Sequence, residues 1–379
     1  MKNTSTKQRL VSLDALRGFD LFVLVALGPL VLSLTQAAGA ENFPMLRQAF
    51  THVDWEGFTP WDLIMPLFIF MSGASIPFAL NRYRNGMNKG EFARRLIKRV
   101  GLLWLLGMVV QGNLLALDPS HIYLYTNTLQ AIAAGYLIAA LLFTSTRVRT
   151  QIIAAALLLL GYWGAMEFIS IDGYGQGNYT PTGNLAEWID RTMLGRFRDG
   201  ASMDESGNVV FASWYHYTWM LSTLTFGATA LTGVFAGIIA RTHWSGMQKV
   251  ITYAGIGLGM AALGWLWNIE MPVIKTIWTS SMVLVSSGYC FLLMALFYLI
   301  FDVCQLRLGL DFLRVYGMNS ITAYVISEVV NFRGVAHSVL YGLEQYVGNY
   351  YPFTLTLSQV LFVYLILHTM YRKGIFVKV

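Results

Sequence analysis

Residues 62–81 read DLIMPLFIFMSGASIPFALN, and residues 82–99 read RYRNGMNKGEFARRLIKR. The first stretch carries no charge after Asp62, and its length matches the roughly 20 apolar residues a helix needs to cross a hydrocarbon core. The second sets Arg82, Arg84, Lys89, Arg94, Arg95, Lys98 and Arg99 against Glu91 alone, the signature of a loop held on the cytoplasmic side. One span followed by one basic loop thus fixes both a fold class and an orientation.

Reading outward in both directions, similar apolar runs recur over about 18–38, 97–117, 124–144, 150–169, 218–240, 250–268, 278–301, 312–332 and 354–371. The chain therefore reads as an all-α polytopic membrane protein of about ten transmembrane helices, forming one domain over 1–379. Only 12% of its residues are charged, about half the share usual in soluble domains. The 41–61 connection carries Arg47 against Glu41, Asp54 and Glu56, so it reads as the outer side. Arg147 and Arg149, Arg241 and Lys249, Arg307 and Arg314, then Arg372, Lys373 and Lys378 mark successive inner segments, which places both termini in the cytoplasm. Lys and Arg exceed Asp and Glu by 26 to 20, but this positive charge sits in short loops between spans. That distribution is a topology signal and not a nucleic-acid-binding face.

The 170–217 connection is the longest and is expected outside, long enough to cover a site. A signal-peptide reading of the N-terminus, with Ala38-Gly39-Ala40 as cleavage site, conflicts with Asp14, Arg17 and Asp20 inside the first apolar run. Cys290 and Cys304 stand too far apart along one helix to pair. Gly233 and Gly237, and Gly255, Gly257 and Gly259, read as sites of close helix packing. Neither a metal-binding constellation nor a serine-hydrolase elbow occurs, and no metal is expected.

Two polar clusters stand against this apolar background. His52, Asp54, Trp55, Glu56 and Asp62 precede the second span, where an imidazole beside carboxylates can act as a general base or as a nucleophile toward an acyl group. The same residues also suit a helix cap at Asp62 with an interfacial aromatic anchor at Trp55. Arg9, Ser12, Asp14 and Arg17 form the second cluster at the cytoplasmic entrance of the first span. Asp14 and Arg17, three residues apart, can pair on one helix face, or Arg17 can offer its guanidinium to phosphate.

These two clusters together, SLDALRG (12–18) and HVDWEGF (52–58), resemble the heparan-alpha-glucosaminide N-acetyltransferase family, and in particular its bacterial branch of membrane proteins. TLQAI (128–132), GNL (183–185), IDR (189–191), WTSS (278–281) and YGMN (316–319) extend the resemblance in order along nearly the whole chain. The resemblance implies a transmembrane acetyltransferase that carries acetyl from cytoplasmic acetyl-CoA to an amino sugar or glycan on the periplasmic side of a bacterial inner membrane. His52 matches the active-site histidine, either as acetyl acceptor or as general base. Trp55, Asp62, Asn184 and Asn319 are then expected toward the acceptor, and Asp14, Arg17, Asn127, Gln130 and Arg314 toward CoA. Family members carry an assisting Asn at the outer end of the first helix, where this chain reads ALGPL (26–30). A saccharide transporter or flippase, or a family member that binds a glycan without catalysis, are the competing readings, and a homodimer is compatible with any of them.

Overall fold

The computed structural model describes residues 10–86 and 88–377; Arg9 and Lys378, singled out above, lie outside them. Among the described residues eight segments are long and apolar enough to cross a membrane. These are α1 (Val11–Ala37), α2 (Pro60–Arg84), α4 (Thr128–Ser145), α5 (Val148–Phe168), α7 (Thr223–Ala240), α8 (Gly246–Trp267), α9 (Ser280–Val303) and the segment Phe332–Arg372, whose last helix is α12 (Tyr351–Arg372). Helix α3 (Lys89–Val110) falls outside the set because Lys89, Glu91, Arg94, Arg95, Lys98 and Arg99 occupy its first half. The run expected at 312–332 breaks at Asn319 into two short helices, α10 (Leu310–Met318) and α11 (Ser320–Val329).

Helix starts follow local hydrogen-bonding chemistry. Asn127 and Gln130 form a reciprocal capping box at the start of α4, and Ser245 with Gln248 does the same for α8, each pair satisfying backbone N–H groups the helix leaves open. Glycines set the closest helix crossings. A Cβ on Gly73 would lie 1.9 Å from the Ala230 carbonyl oxygen, and one on Gly233 would lie 1.9 Å from that of Phe70, so α2 and α7 touch backbone to backbone. Gly257 meets Gly288 between α8 and α9, whereas Gly255 and Gly259 face open space, so only one of the three clustered glycines is there for packing.

The start of α1 and the C-terminal segment converge on one corner. The backbone of Gly317 packs against Asp14 and Gly18, and the Asn319 amide donates to the Ile375 carbonyl while its oxygen accepts from Val377 N–H. We call this the terminus face of the bundle. The 170–217 connection is folded. It holds two hairpins, β1 (Ser170–Ile171) with β2 (Tyr174–Gly175) and β3 (Ala201–Met203) with β4 (Val209–Phe211), flanking α6 (Leu185–Leu194). A buried polar knot fixes it: Arg198 pairs with Glu187 at 2.5 Å, Glu187 also pairs with Arg191 at 2.7 Å, and Asp190 accepts from Trp219 and Met220 N–H. Burial pushes the Asp190 carboxyl up to about 7, against the pull of those hydrogen bonds.

Candidate active site

The site begins with the turn that opens α2. Thr59 caps the helix, Pro60 presets its first dihedral, and Asp62 closes a capping box by accepting from Thr59 N–H at 3.0 Å. That bond, with a second from the Thr59 hydroxyl at 2.9 Å, occupies one carboxylate oxygen and leaves the other to face His52. His52 Nδ1 lies 2.6 Å from Asp62 Oδ1. A carboxylate accepts, so the neutral ring carries its proton on Nδ1 and presents its lone pair at Nε2. The cap and the histidine partner proposed as rival roles for Asp62 are thus one arrangement.

A third group completes the set. Lys275 Nζ lies 3.0 Å from His52 Nδ1, 3.2 Å from Nε2 and 3.6 Å from Asp62 Oδ1. It comes from the connection between α8 and α9, which is held rigidly. Val273 N–H donates to Asn268, Ile274 N–H donates to the Thr279 hydroxyl, and Gly57 N–H donates to the Val273 carbonyl at 2.8 Å, tying this loop to the one that carries His52. Burial pulls the Lys275 amine down to about 8, although Asp62 works in the opposite direction. Asp62 and Lys275 are buried, but the His52 side chain keeps 43% exposure. The imidazole is therefore the most exposed member of the triad, with Lys275 beside it on the cavity wall.

His52 sits where two spaces meet. On one side is a hollow bordered by Gln48, Asp54, Trp55 and Glu56, acidic and open. On the other is a cavity of about 700 Å³ that reaches into the bundle. Trp61, Ile64, Phe68, Ser72, Ser75 and Ala79 line it along α2. Their spacing of three and four is one face of a helix, and from Trp61 to Ala79 that face rises roughly 27 Å, close to the hydrocarbon thickness. At the His52 end the walls include Lys275, Thr126, Tyr215 and Tyr217 from three connections. Toward the terminus face they include Arg17, Arg99, Met318 and Phe376. The Arg99 guanidinium stacks 4.1 Å over the Tyr136 ring, and its Nε, like the Ser72 hydroxyl, is buried without a hydrogen-bond partner. Two guanidiniums and unsatisfied donors make this end suited to an anion.

The residues expected from sequence divide sharply. His52, Asp62 and Arg17 border the cavity or the residues that shape it. Trp55 borders the outer hollow, donating to the Tyr179 carbonyl at 2.9 Å and meeting the His216 ring edge-on. Asn127 and Gln130 spend their polar atoms on the α4 cap, although Asn127 also donates to the cavity-lining Gln111 and Tyr324. Asn184 caps α6, Asn319 pins the C-terminal segment, and Arg314 pairs with Asp311 at 3.6 Å. Asp14 is buried beside the Gly317 contact. None of these last four lines the cavity. Lys275, Trp61 and Arg99 are the residues that the sequence reading missed. A lone lysine inside MPVIKTIW (271–278) was the available signal, since an ionisable group among apolar residues near a membrane calls for a partner.

Trp61 also packs against the 26–30 stretch, at Gly28. A Cβ on Gly28 would lie 2.3 Å from the Trp61 ring, whose centroid is 6.4 Å from that of His52. Glycine here leaves the space that the indole fills beside the histidine.

Fold and site together define a multi-pass α-helical membrane protein with a His–Asp–Lys set at one end of a membrane-deep cavity. Residues 9–175 match the family described as heparan-alpha-glucosaminide N-acetyltransferase, catalytic. The chain is 27% identical over 366 residues to the heparan-alpha-glucosaminide N-acetyltransferase of Homo sapiens, covering 85% of this chain and 53% of that protein. It is 25% identical over 371 residues to the Mus musculus protein of the same name, covering 86% and 54%. The chain thus spans about half the length of these curated relatives, and its similarity to the heparan-alpha-glucosaminide N-acetyltransferase catalytic family model covers residues 9–175. His52, Asp62, Arg17 and Arg99 lie within the matched region, and Lys275 lies beyond it.

Proposed function

We propose that this protein is a transmembrane N-acetyltransferase. It takes acetyl from acetyl-CoA docked at the Arg17–Arg99 end of the cavity and delivers it, at His52, to an amino sugar or glycan amine entering through the acidic hollow. The observation that carries this reading is the single cavity that follows one face of α2 from two guanidiniums to the exposed imidazole. The guanidiniums hold phosphates, the apolar walls accept the pantetheine arm, and the thioester comes to rest against Nε2. There the imidazole takes either the acetyl group or the acceptor's proton. Asp54 and Glu56 favour a cationic amine on the hollow's side. With the terminus face in the cytoplasm, as the basic loops indicate, the hollow opens to the periplasm of a bacterial inner membrane.

Calorimetric titration of the purified protein with acetyl-CoA, followed by measurement of free CoA with glucosamine and its oligosaccharides, tests the reading. Binding with acceptor-dependent CoA release is expected. Uptake of saccharide into vesicles without any acetyl-CoA binding would instead make the cavity a transport path.

A further inference from the structure

We infer that Lys275 is a catalytic residue whose ammonium holds the acetyl oxygen when its carbonyl carbon is attacked at His52. This rests on the acetyl-transfer reading above. Three observations carry it. Nζ stands 3.2 Å from Nε2, the ring nitrogen whose lone pair the Asp62 contact leaves available. Lys275 borders the cavity at that end, so its ammonium faces the space that a thioester must enter. Asp62 neutralises the buried ammonium at 3.6 Å without reaching into that space, because its oxygens are turned to Thr59 and His52.

The chemistry is that of an oxyanion hole. Nε2 forms a bond to the thioester carbon and the C=O π pair moves onto oxygen, which accepts a hydrogen bond from Nζ. An oxygen one bond beyond a carbon attached to Nε2 falls within reach of a donor 3.2 Å from that nitrogen. On collapse the C=O re-forms, the C–S bond breaks and the thiolate leaves with its electron pair. The acceptor amine then attacks the acetyl-imidazole, the oxygen returns to the same donor, and the C–N bond to His52 breaks with its pair going back to Nε2. The surplus proton of the new amide nitrogen passes to solvent through the hollow. A fixed donor in a partly desolvated pocket serves both halves without reorganising.

The ionisable groups around Lys275 are His52 from the first connection, Asp62 from the start of α2 and Tyr217 from the segment before α7. Asp54 and Glu56 lie across the imidazole in the hollow. Burial brings the amine down to about 8. The donating form is the protonated one, so transfer declines as pH rises through that value, whereas an arginine at this position stays charged.

The test is rapid mixing of purified protein with acetyl-CoA, with and without glucosamine, reading CoA release and acetylation of His52 by mass spectrometry, for wild type, Lys275→Met and Lys275→Arg. Lys275→Met is expected to bind acetyl-CoA as wild type does and to release CoA roughly 10²–10³-fold more slowly. Lys275→Arg, which keeps the charge and the fold, is expected to recover part of the rate and to lose the decline above about pH 8. A Lys275→Met rate within threefold of wild type, or an unchanged alkaline decline in Lys275→Arg, overturns the assignment alone. Absence of CoA release from wild type even with glucosamine present overturns the acetyl-transfer reading and this assignment with it.

Discussion

Asp62→Asn is the substitution whose cost the structure fixes most closely. It removes a charge with no exposed surface, 3.6 Å from the Lys275 ammonium. At an effective dielectric constant near 20 that separation corresponds to roughly 5 kcal/mol of attraction. Removing one partner of a buried pair typically costs about 3–5 kcal/mol, because the other charge is left uncompensated. Lysine can escape part of that cost by losing its proton, so the lower end, about 3 kcal/mol, is expected near neutral pH. The pH dependence follows from the same pair. Asp62 supports the protonated form of Lys275, so the variant's amine falls below about 8 while the unfolded chain keeps an ordinary lysine. The folded wild type then binds more protons than the folded variant between that lowered value and about 8, so the deficit shrinks as pH rises toward about 8 and is flat above it. Unfolding in mixed micelles by graded sodium dodecyl sulfate, run as a double-mutant cycle with Lys275→Met, is the assay. The double variant, having lost both charges, is expected to be more stable than Asp62→Asn alone, with a coupling of about 2 kcal/mol or more. If the double variant is no more stable than the single, the ion pair at the heart of the site is not formed.

Other expectations follow from particular contacts. Gly28→Val drives a side chain into the Trp61 ring at 2.3 Å; a loss of about 1–3 kcal/mol in the same unfolding assay and slower acetyl transfer are expected. Arg17→Gln and Arg99→Gln are each expected to weaken acetyl-CoA binding about tenfold, a loss that calorimetry at raised salt narrows because screening already weakens the wild type. Arg198→Met leaves Glu187 buried with Arg191 alone and is expected to cost about 3 kcal/mol, read as loosening of the 170–217 segment to limited proteolysis. Asp190, pushed up to about 7, binds a proton more readily folded than unfolded. Its contribution is therefore full below about pH 4 and lost as pH rises through about 7, so proteolytic resistance of that segment should fall over this window and Asp190→Asn should flatten the dependence.

The spans were legible because hydrocarbon imposes length and apolarity on each helix separately, a local constraint that DLIMPLFIFMSGASIPFALN already satisfies. The break at Asn319 was not legible, since it depends on that side chain finding Ile375 and Val377 far along the chain. His52 and Asp62 could be linked in sequence because a turn and a helix start put them in one loop. Lys275 could not, because it is 223 residues away and arrives through the Gly57–Val273 backbone contact. Asn184 and Gln130 show the converse case. Their side-chain oxygens serve helix caps and their amide nitrogens bond the Thr180 and Leu124 carbonyls, a use that a one-dimensional pattern does not distinguish from substrate binding.

The central claim is that the acetyl group travels the length of the cavity from one face of the membrane to the other. Proteoliposomes with glucosamine sealed inside and acetyl-labelled acetyl-CoA added outside test it directly. Labelled N-acetylglucosamine should accumulate in the lumen with wild type and not with His52→Ala, in proportion to the molecules whose terminus face points outward. Product formed only when donor and acceptor share one compartment would contradict it.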